Sequence, residues 1–355
     1  MPTIELLETG RLDERESAFP STVLLPDGSI LCSYSIGGGQ YVHGGTELSR
    51  SRDGGLTWER AGTVCPATTD PESANFLKLT FDSNSGQLYA YGAQLLGSPA
   101  QDFGDREMIP VLCTSADNGQ SWSEARRLPI PVNYPLEVSD RLLLTSTGRL
   151  IAPMATLENQ QKLGERVLGL PTDDGGNNWG EPVTIFKDPE GKRGYFEQKL
   201  TPLPDGRLLA VAWTVTLGDY QDLENSYSIS ADNGQTWSPP QSTGIRGQTM
   251  TPLAVSDNQI LITYNRRFGD QGVVAALVRL DENDAWQIEA EQLLYDAGHH
   301  KKPEEKQTGK LQDELDTFAF GFPTPLRISP NEYLMTHWSV EQGVCGIRWT
   351  RFRVD

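Results

Sequence analysis

A few residues in this chain have the types and the settings to do chemistry. Glu197 closes the run Tyr195-Phe196-Glu197, in which two aromatic rings would strip water from the carboxyl and raise its pKa toward that of a general acid. A pairing with Lys199, two residues on, is the structural alternative. Glu16, Glu137, Asp316 and Glu341 are further carboxylates, each either the second member of an acid and base pair or an ordinary solvated acid. His43 lies in the glycine-rich stretch GGGQYVHGG, and its side chain changes charge near neutral pH, which suits proton transfer. The neighbours Arg266 and Arg267 carry planar forks that grip a carboxylate through two hydrogen bonds. One of the two capping a strand end and the other standing in solvent is the alternative, so at most one is expected to touch a ligand. His337-Trp338 ends an apolar run, where the indole can stack on a flat ligand face or simply pack.

Other chemistries are not indicated. The 355 residues include 48 acidic and 30 basic side chains, a net charge of −18, and that field repels phosphate backbones and anionic lipid surfaces. Nucleic acid and membrane are therefore not expected as partners. There is no HExxH, no phosphate-cradling glycine loop, no GxSxG turn and no cysteine and histidine spacing that would hold zinc, so neither metal nor cofactor is expected. Cys32, Cys65, Cys113 and Cys345 are far apart and sit mostly in apolar stretches, which reads as reduced, packed thiols. The first residues lack a basic segment followed by an apolar one, and no run approaches the roughly 18 apolar residues needed to span a bilayer. The expectation is a cytoplasmic protein. His299 and His300 lie in the charged stretch GHHKKPEEKQTGKLQDELD, read as a solvated loop or, over residues 297–316, as a lid.

The elements that must position these residues announce themselves by repetition. Ser51-Arg-Asp53-Gly-Gly55-Leu-Thr57-Trp58 returns at Ser115 to Trp122, at Thr172 to Trp179 and at Ser230 to Trp237, and a worn copy runs from Asp281 to Trp286. Five of the eight tryptophans occupy this one slot. Each copy reads as a tight hairpin turn in which Ser or Thr and Asp bond nearby backbone N–H groups and Trp folds back over the turn. Those aspartates are turn formers. In step with them run six apolar hairpins, STVLLPDGSILCSYS, LKLTFDSNSGQLYAYG, DRLLLTSTGRLIAPM, KLTPLPDGRLLAVAW, TPLAVSDNQILITYN and TPLRISPNEYLMTHW. A hairpin, a strand, a boxed turn and a last strand make one four-stranded sheet in about 59 residues, the size of a propeller blade. The expected fold is all-β, a six-bladed β-propeller forming one domain over 1–355. Its blades lie approximately at 14–64, 73–130, 136–186, 196–243, 247–296 and 318–355, the last completed by residues 3–7 as its missing outer strand.

With boxes and hairpins in this order, the chain resembles the sialidase superfamily of six-bladed propellers with Asp-box (BNR) repeats. The resemblance implies a ligand site at one mouth of the central channel, lined by inner-strand entries that include Glu16, Glu137, Arg141, Glu197 and Gln248, and by facing loops that include His43, Arg266, Arg267, His337 and Trp338. It implies a glutamate at Glu197, where Glu197-Gln-Lys-Leu-Thr-Pro-Leu203-Pro-Asp-Gly meets the pattern of the glutamate that activates the nucleophile in sialidases. Gln248 stands at the family's glutamine entering blade five. Tyr264-Asn-Arg266-Arg267 is similar to a Tyr-x-x-Arg segment of BNR proteins. His43 falls in the loop that carries the sialidase acid. Other family positions are changed: Ala18 stands for the first arginine, Trp213 for the second and Phe320 for the tyrosine nucleophile. The expectation is a carbohydrate-active protein, a glycoside hydrolase with Glu197 and His43 as catalytic residues. Glu16, Glu137, Arg141, Gln248, Arg266, Arg267, His337 and Trp338 are expected to bind substrate. A true exo-sialidase with rearranged arginines and a non-catalytic glycan-binding or scaffold propeller are the alternatives.

Overall fold

The computed structural model describes residues 2–37, 44–256, 258–298, 315 and 317–355. Strand β1 (Ile4–Asp13) comes first. Blade 1 is β2 (Ala18–Leu24), β3 (Ile30–Ser35), β4 (Thr46–Ser51) and β5 (Glu59–Cys65). Blade 2 is β6 (Ser73–Asp82), β7 (Gln87–Leu96), β8 (Glu107–Ser115) and β9 (Arg126–Arg127). Blade 3 is β10 (Leu136–Glu137), β11 (Leu143–Leu144), β12 (Leu150–Leu157), β13 (Leu163–Thr172) and β14 (Val183–Lys187). Blade 4 is β15 (Arg193–Pro202), β16 (Leu208–Thr216), β17 (Ser226–Ser230) and β18 (Gln241–Ser242), and blade 5 is β19 (Gln248–Ala254), β20 (Gln259–Arg266), β21 (Gly272–Leu280) and β22 (Trp286–Asp296). Blade 6 is β23 (Phe320–Arg327), β24 (Glu332–Glu341) and β25 (Val344–Val354), with β1 as its outer strand. The pairing of β1 with β25 begins at Ile4↔Val354 and runs to Asp13↔Ile347, so the closing strand is about twice the length expected from the sequence. The all-β six-bladed propeller is the observed fold.

The inner strands decide what faces the channel. In blade 2, β6 pairs with β7 without a break. In blades 1, 4, 5 and 6 the register slips between Ala18 and Ser21, Phe196 and Lys199, Gln248 and Met250, and Gly321 and Thr324. Each slip holds one residue at positive φ: Phe19 (57°), Glu197 (48°), Thr249 (40°) and Phe322 (55°). A bulge re-aims a side chain at the cost of a strained backbone. In blade 3 the inner strand is interrupted instead. The sequence reads DRLLLT as one strand, yet only Leu136–Glu137 and Leu143–Leu144 pair with β12, and residues 138–142 leave the ladder between them.

The boxed turns fasten blades to one another. Asp117 accepts hydrogen bonds from the Ser115 hydroxyl at 2.7 Å and from the N–H groups of Gln120 and Ser121 at 3.0 and 2.9 Å, and Asp53, Asp174 and Asp232 repeat the pattern. The glycine four residues after each Ser or Thr abuts the preceding blade. A Cβ on Gly119 would come within 2.9 Å of Leu31 in blade 1, and one on Gly55 within 2.8 Å of Leu334 in blade 6. Arginines reach across the same seams, Arg50 to the Asn118 carbonyl at 2.6 Å and Arg207 to Asp284 at 2.5 Å. Trp58, Trp122, Trp179 and Trp237 take equivalent, half-buried rim positions.

These bonds make the turns sensitive to acid. The Thr57 hydroxyl most of all holds Asp53 down to about 2, the Ser121 hydroxyl does so for Asp117, and the Asn178 N–H for Asp174. A carboxyl whose pKa drops on folding contributes stability that is present above its unfolded value near 4 and lost as pH falls through about 2. Thermal melts between pH 5 and pH 2 should therefore show Tm falling over this window. A triple variant, Asp53→Asn, Asp117→Asn, Asp174→Asn, should start lower and fall less steeply.

Candidate active site

The four bulges and the break in blade 3 converge on one mouth of the channel, around a cleft of about 1130 Å³ that is partly open to solvent. Phe19, Glu197, Thr249 and Phe322, the four positive-φ residues, all line it, together with Glu137 from blade 3. Glu197 accepts a short hydrogen bond from the Thr249 hydroxyl of the next blade. Beside it stands Glu137, 5% exposed, neither of whose carboxylate oxygens has a hydrogen-bond partner among the described residues. The Glu197 backbone N–H approaches this carboxylate without reaching hydrogen-bond geometry. Burial first, and then the negative field of Glu197, push the Glu137 carboxyl up to about 8, against the pull of Lys199 and Lys78. At neutral pH one member of this carboxyl pair carries its proton.

Much of the remaining wall is aromatic. Phe76, Phe103, Phe196, Trp213, Phe318 and Trp338 line the cleft, with Trp213 fixed by an Nε1 hydrogen bond of 2.6 Å to Asp222. Two cations interrupt it. Arg267 donates from Nε to the Gln248 side chain at 2.8 Å and lies 3.9 Å from the Phe318 ring centre and 4.3 Å from that of Phe320. Arg106, 5% exposed, has an Nε without a partner among the described residues. No cluster of His, Cys, Asp and Glu among the described residues has the arrangement to hold a metal ion.

Several expected site residues meet here and others do not. Glu197, Glu137, Arg267 and Trp338 line the cleft, and Gln248 supports Arg267 from behind. Arg266 turns outward and donates from Nε to the Asp270 carbonyl at 2.7 Å. Glu16 is exposed on the segment before β2, outside the lining. Arg141 is corrected to the opposite opening, where it borders a second cleft of about 700 Å³ with Leu142, Leu143 and Leu144, because the excursion at 138–142 carries the chain along the channel axis. His337 likewise lies outside the lining of the cleft. Strand alternation turns it away from Trp338 into the seam with blade 5, fully buried with its ring centre 4.7 Å from that of Tyr295, and burial lowers its pKa to about 3.

The aromatic pair before Glu197 divides in the same way: Phe196 lines the cleft, whereas Tyr195 stacks on Phe186 at 5.2 Å. Lys199 makes no ion pair with Glu197 and directs its ammonium to the Ser139 carbonyl. Glu341 pairs with Arg348 and Arg11 at 3.0 and 2.8 Å. Ala18 and Phe320 are buried, Phe320 behind Arg267. His43 and Asp316 lie outside the described residues, as does most of the stretch 297–316, although Leu315 and Phe318 reach the cleft. Arg106, Thr249 and Lys78 close stretches that the sequence places at the mouth, the loop 101–106 and the inner-strand entries 246–249 and 72–78, but residue type separates only Lys78 from its neighbours, as a charged residue inside an otherwise apolar strand.

Six four-stranded blades around a channel with a carboxyl-bearing cleft at one mouth define a six-bladed β-propeller. The sequence model of the BNR repeat-like domain matches residues 31–289, and the chain belongs to that family. A search of curated protein sequences finds no match. Among solved structures, a protein of unknown function from Dyadobacter fermentans is 19% identical, with TM-score 0.77 and 100% of both chains covered. The α-L-arabinanase of Penicillium chrysogenum, solved with arabinobiose, is 15% identical, with TM-score 0.67 and 98% of both chains covered. The NanB sialidase of Streptococcus pneumoniae is 13% identical, with TM-score 0.65, covering 99% of this chain and 70% of that one. At these identities the likeness is one of fold.

The buried carboxyl gives the site its own pH signature. Folded Glu137 keeps its proton up to about pH 8, whereas in the unfolded chain it ionises between about pH 4 and 5. The native state then binds more protons, so Glu137 makes stability fall as pH rises from about 4.5 through about 8, with no further loss above. Glu137→Gln should remove this slope and melt higher than wild type at pH 8.5, with little difference at pH 4; melting curves across that range measure it.

Proposed function

We propose that the protein hydrolyses a glycosidic bond at the channel mouth, with Glu137 as general acid and Glu197 as the ionised partner. The observation that carries this reading is the buried Glu137 carboxyl, raised to about 8 and without a hydrogen-bond partner among the described residues, in a cleft that Glu197 also lines. Glu137 delivers its proton to the glycosidic oxygen as the bond to the anomeric carbon breaks. Glu197 supplies negative charge on the other side, attacking that carbon or taking a proton from the water that does. Thr249 holds Glu197 by its hydroxyl, and the bulge at Glu197 brings its carboxyl into the cleft lining.

The chemistry of the wall favours a neutral sugar. Aromatic rings suit the apolar faces of a sugar ring, and the fold is shared with an arabinanase solved with arabinobiose. The sialidase alternative is weaker, because Ala18 and Trp213 stand where arginines would hold the carboxylate and Phe320 cannot be a nucleophile. Each missing charge-assisted bond is worth roughly 1.5 to 3 kcal/mol.

A panel of aryl glycosides and native oligosaccharides, with arabinosides and sialosides included, tests the reading. Turnover of a neutral glycoside is expected. Glu197→Gln should lower kcat about 100-fold or more while leaving the fold and sugar binding intact, and Glu137→Gln should abolish the alkaline limb of the pH profile. Efficient release of sialic acid would refute the neutral-sugar reading. Binding without turnover across the panel would favour a glycan-binding propeller.

A further inference from the structure

Glu137 ends the strand segment just where the inner ladder of blade 3 breaks off, so something other than strand pairing must fix it. The carbonyls that the break leaves without a ladder partner are met by two lysines. Lys78, from β6 in blade 2, donates to the Val138 carbonyl at 3.1 Å and to its own strand's Phe76 carbonyl at 3.3 Å. Lys199, from β15 in blade 4, donates to the Ser139 carbonyl. The blades on either side of blade 3 thus each send one ammonium to the two residues that follow Glu137. Both lysines are almost wholly buried, 3% and 4% exposed, and the Phe322 ring of blade 6 serves both, its centre 5.3 Å from one ammonium and 4.1 Å from the other.

We propose that Lys78 and Lys199 are positioning residues that clamp the interrupted strand of blade 3 from both sides and so hold the Glu137 carboxyl opposite Glu197. The inference rests on the two-carboxyl reading of the cleft. Two buried ammonium groups are costly, and apolar side chains would fill the same space at less cost. A need for donors at orphaned backbone carbonyls explains their presence. The other ends of the segment are tied as well: Asp140 accepts from the Leu200 N–H at 2.6 Å and from the Arg141 N–H at 2.9 Å, and the Thr80 hydroxyl donates to the Leu142 carbonyl at 2.7 Å.

The clamp is also electrostatic. Glu137 faces Glu197 and Lys199 of blade 4 and Lys78 of blade 2, with Tyr91 of blade 2 and Asp140 nearby; Arg141 adds its field at Lys199. Arg106 and Arg267 complete the charges of the cleft, together with Asp102. The two lysines oppose the protonation that burial and Glu197 favour. Burial in turn lowers the proton affinity of both lysines, and for Lys78 repulsion from Lys199 is the next cause.

The experiment needs no substrate, only protons. Difference infrared titration follows the Glu137 carboxyl band, assigned by its loss in Glu137→Gln, and hydrogen exchange at the Arg141 amide follows the order of the segment. In wild type the band should titrate near pH 8. Lys199→Met should move the midpoint upward by about one pH unit or more, a tenfold loss of acidity, and Lys199→Arg should bring it back. Lys78→Met should speed Arg141 exchange at least tenfold, while Lys78→Gln and Lys199→Gln, which keep a donor, should preserve protection. An unmoved midpoint together with unchanged exchange in the folded variants overturns the clamp, and so does failure of the Gln as well as the Met variants to fold, which would make the lysines core elements. An ordinary carboxyl midpoint in wild type would instead sink the two-carboxyl reading, leaving exchange to judge the clamp.

Discussion

Everything at the channel mouth depends on the closure of the ring by β1 against β25. A propeller blade has only its two neighbours to bury its faces against, and a missing seam would leave one blade with an open face and the sheet with a free edge. Closure across blade 6 gives β25 its outer partner and joins the two ends of the chain in one blade. Six inner strands then aim at one axis, and residues from all six blades meet around a single cleft. The boxed turns serve the same end from the rim, each glycine pressed on a leucine or isoleucine of the blade before it, with Gly55 of blade 1 closing back onto Leu334 of blade 6.

Within that frame the site is built by departures from regular sheet. Where the ladder is perfect, in blade 2, the inner strand sends in Phe76 and buries Lys78. Where it bulges, Glu197 and Thr249 are brought side by side from neighbouring blades. Where it breaks, Glu137 is left buried beside Glu197, its oxygens without a hydrogen-bond partner among the described residues. An unpaired buried carboxyl is expensive, and taking up a proton is the cheapest way out. The chemistry proposed for the cleft and the architecture that buries Glu137 are thus one fact seen twice.

How much of this could be read from the sequence follows the range of the interaction. The boxed turns are local, a Ser or Thr and an Asp bonding the next five residues, and so they are written plainly in the chain. The hairpins are legible because a two-residue apolar rhythm and a turn signal suffice for them. Glu197 was found through a motif, but its bulge was not, since nothing in Tyr195-Phe196-Glu197 says which ring faces the channel. The same parity decided His337 against Trp338 and Arg266 against Arg267: neighbours on a strand face opposite ways, and choosing the inward member requires the register. Glu137 was visible only as one acid among several, because its burial comes from residues 138–142 leaving the ladder and from Lys78 and Lys199, some 60 residues away on either side. Arg141 fell at the far opening for the same reason.

The four bulge residues carry a further consequence. Phe19, Glu197, Thr249 and Phe322 bear side chains in a backbone conformation that suits glycine far better, and all four form the wall of the cleft. Glycine at any of them would relax the chain and at the same stroke empty part of the wall. Robustness and chemistry are therefore set against each other at these positions, while the rim boxes and the closing strand are untouched by the choice. A lineage drifting toward greater durability would lose the wall of the cleft here first and keep its outline.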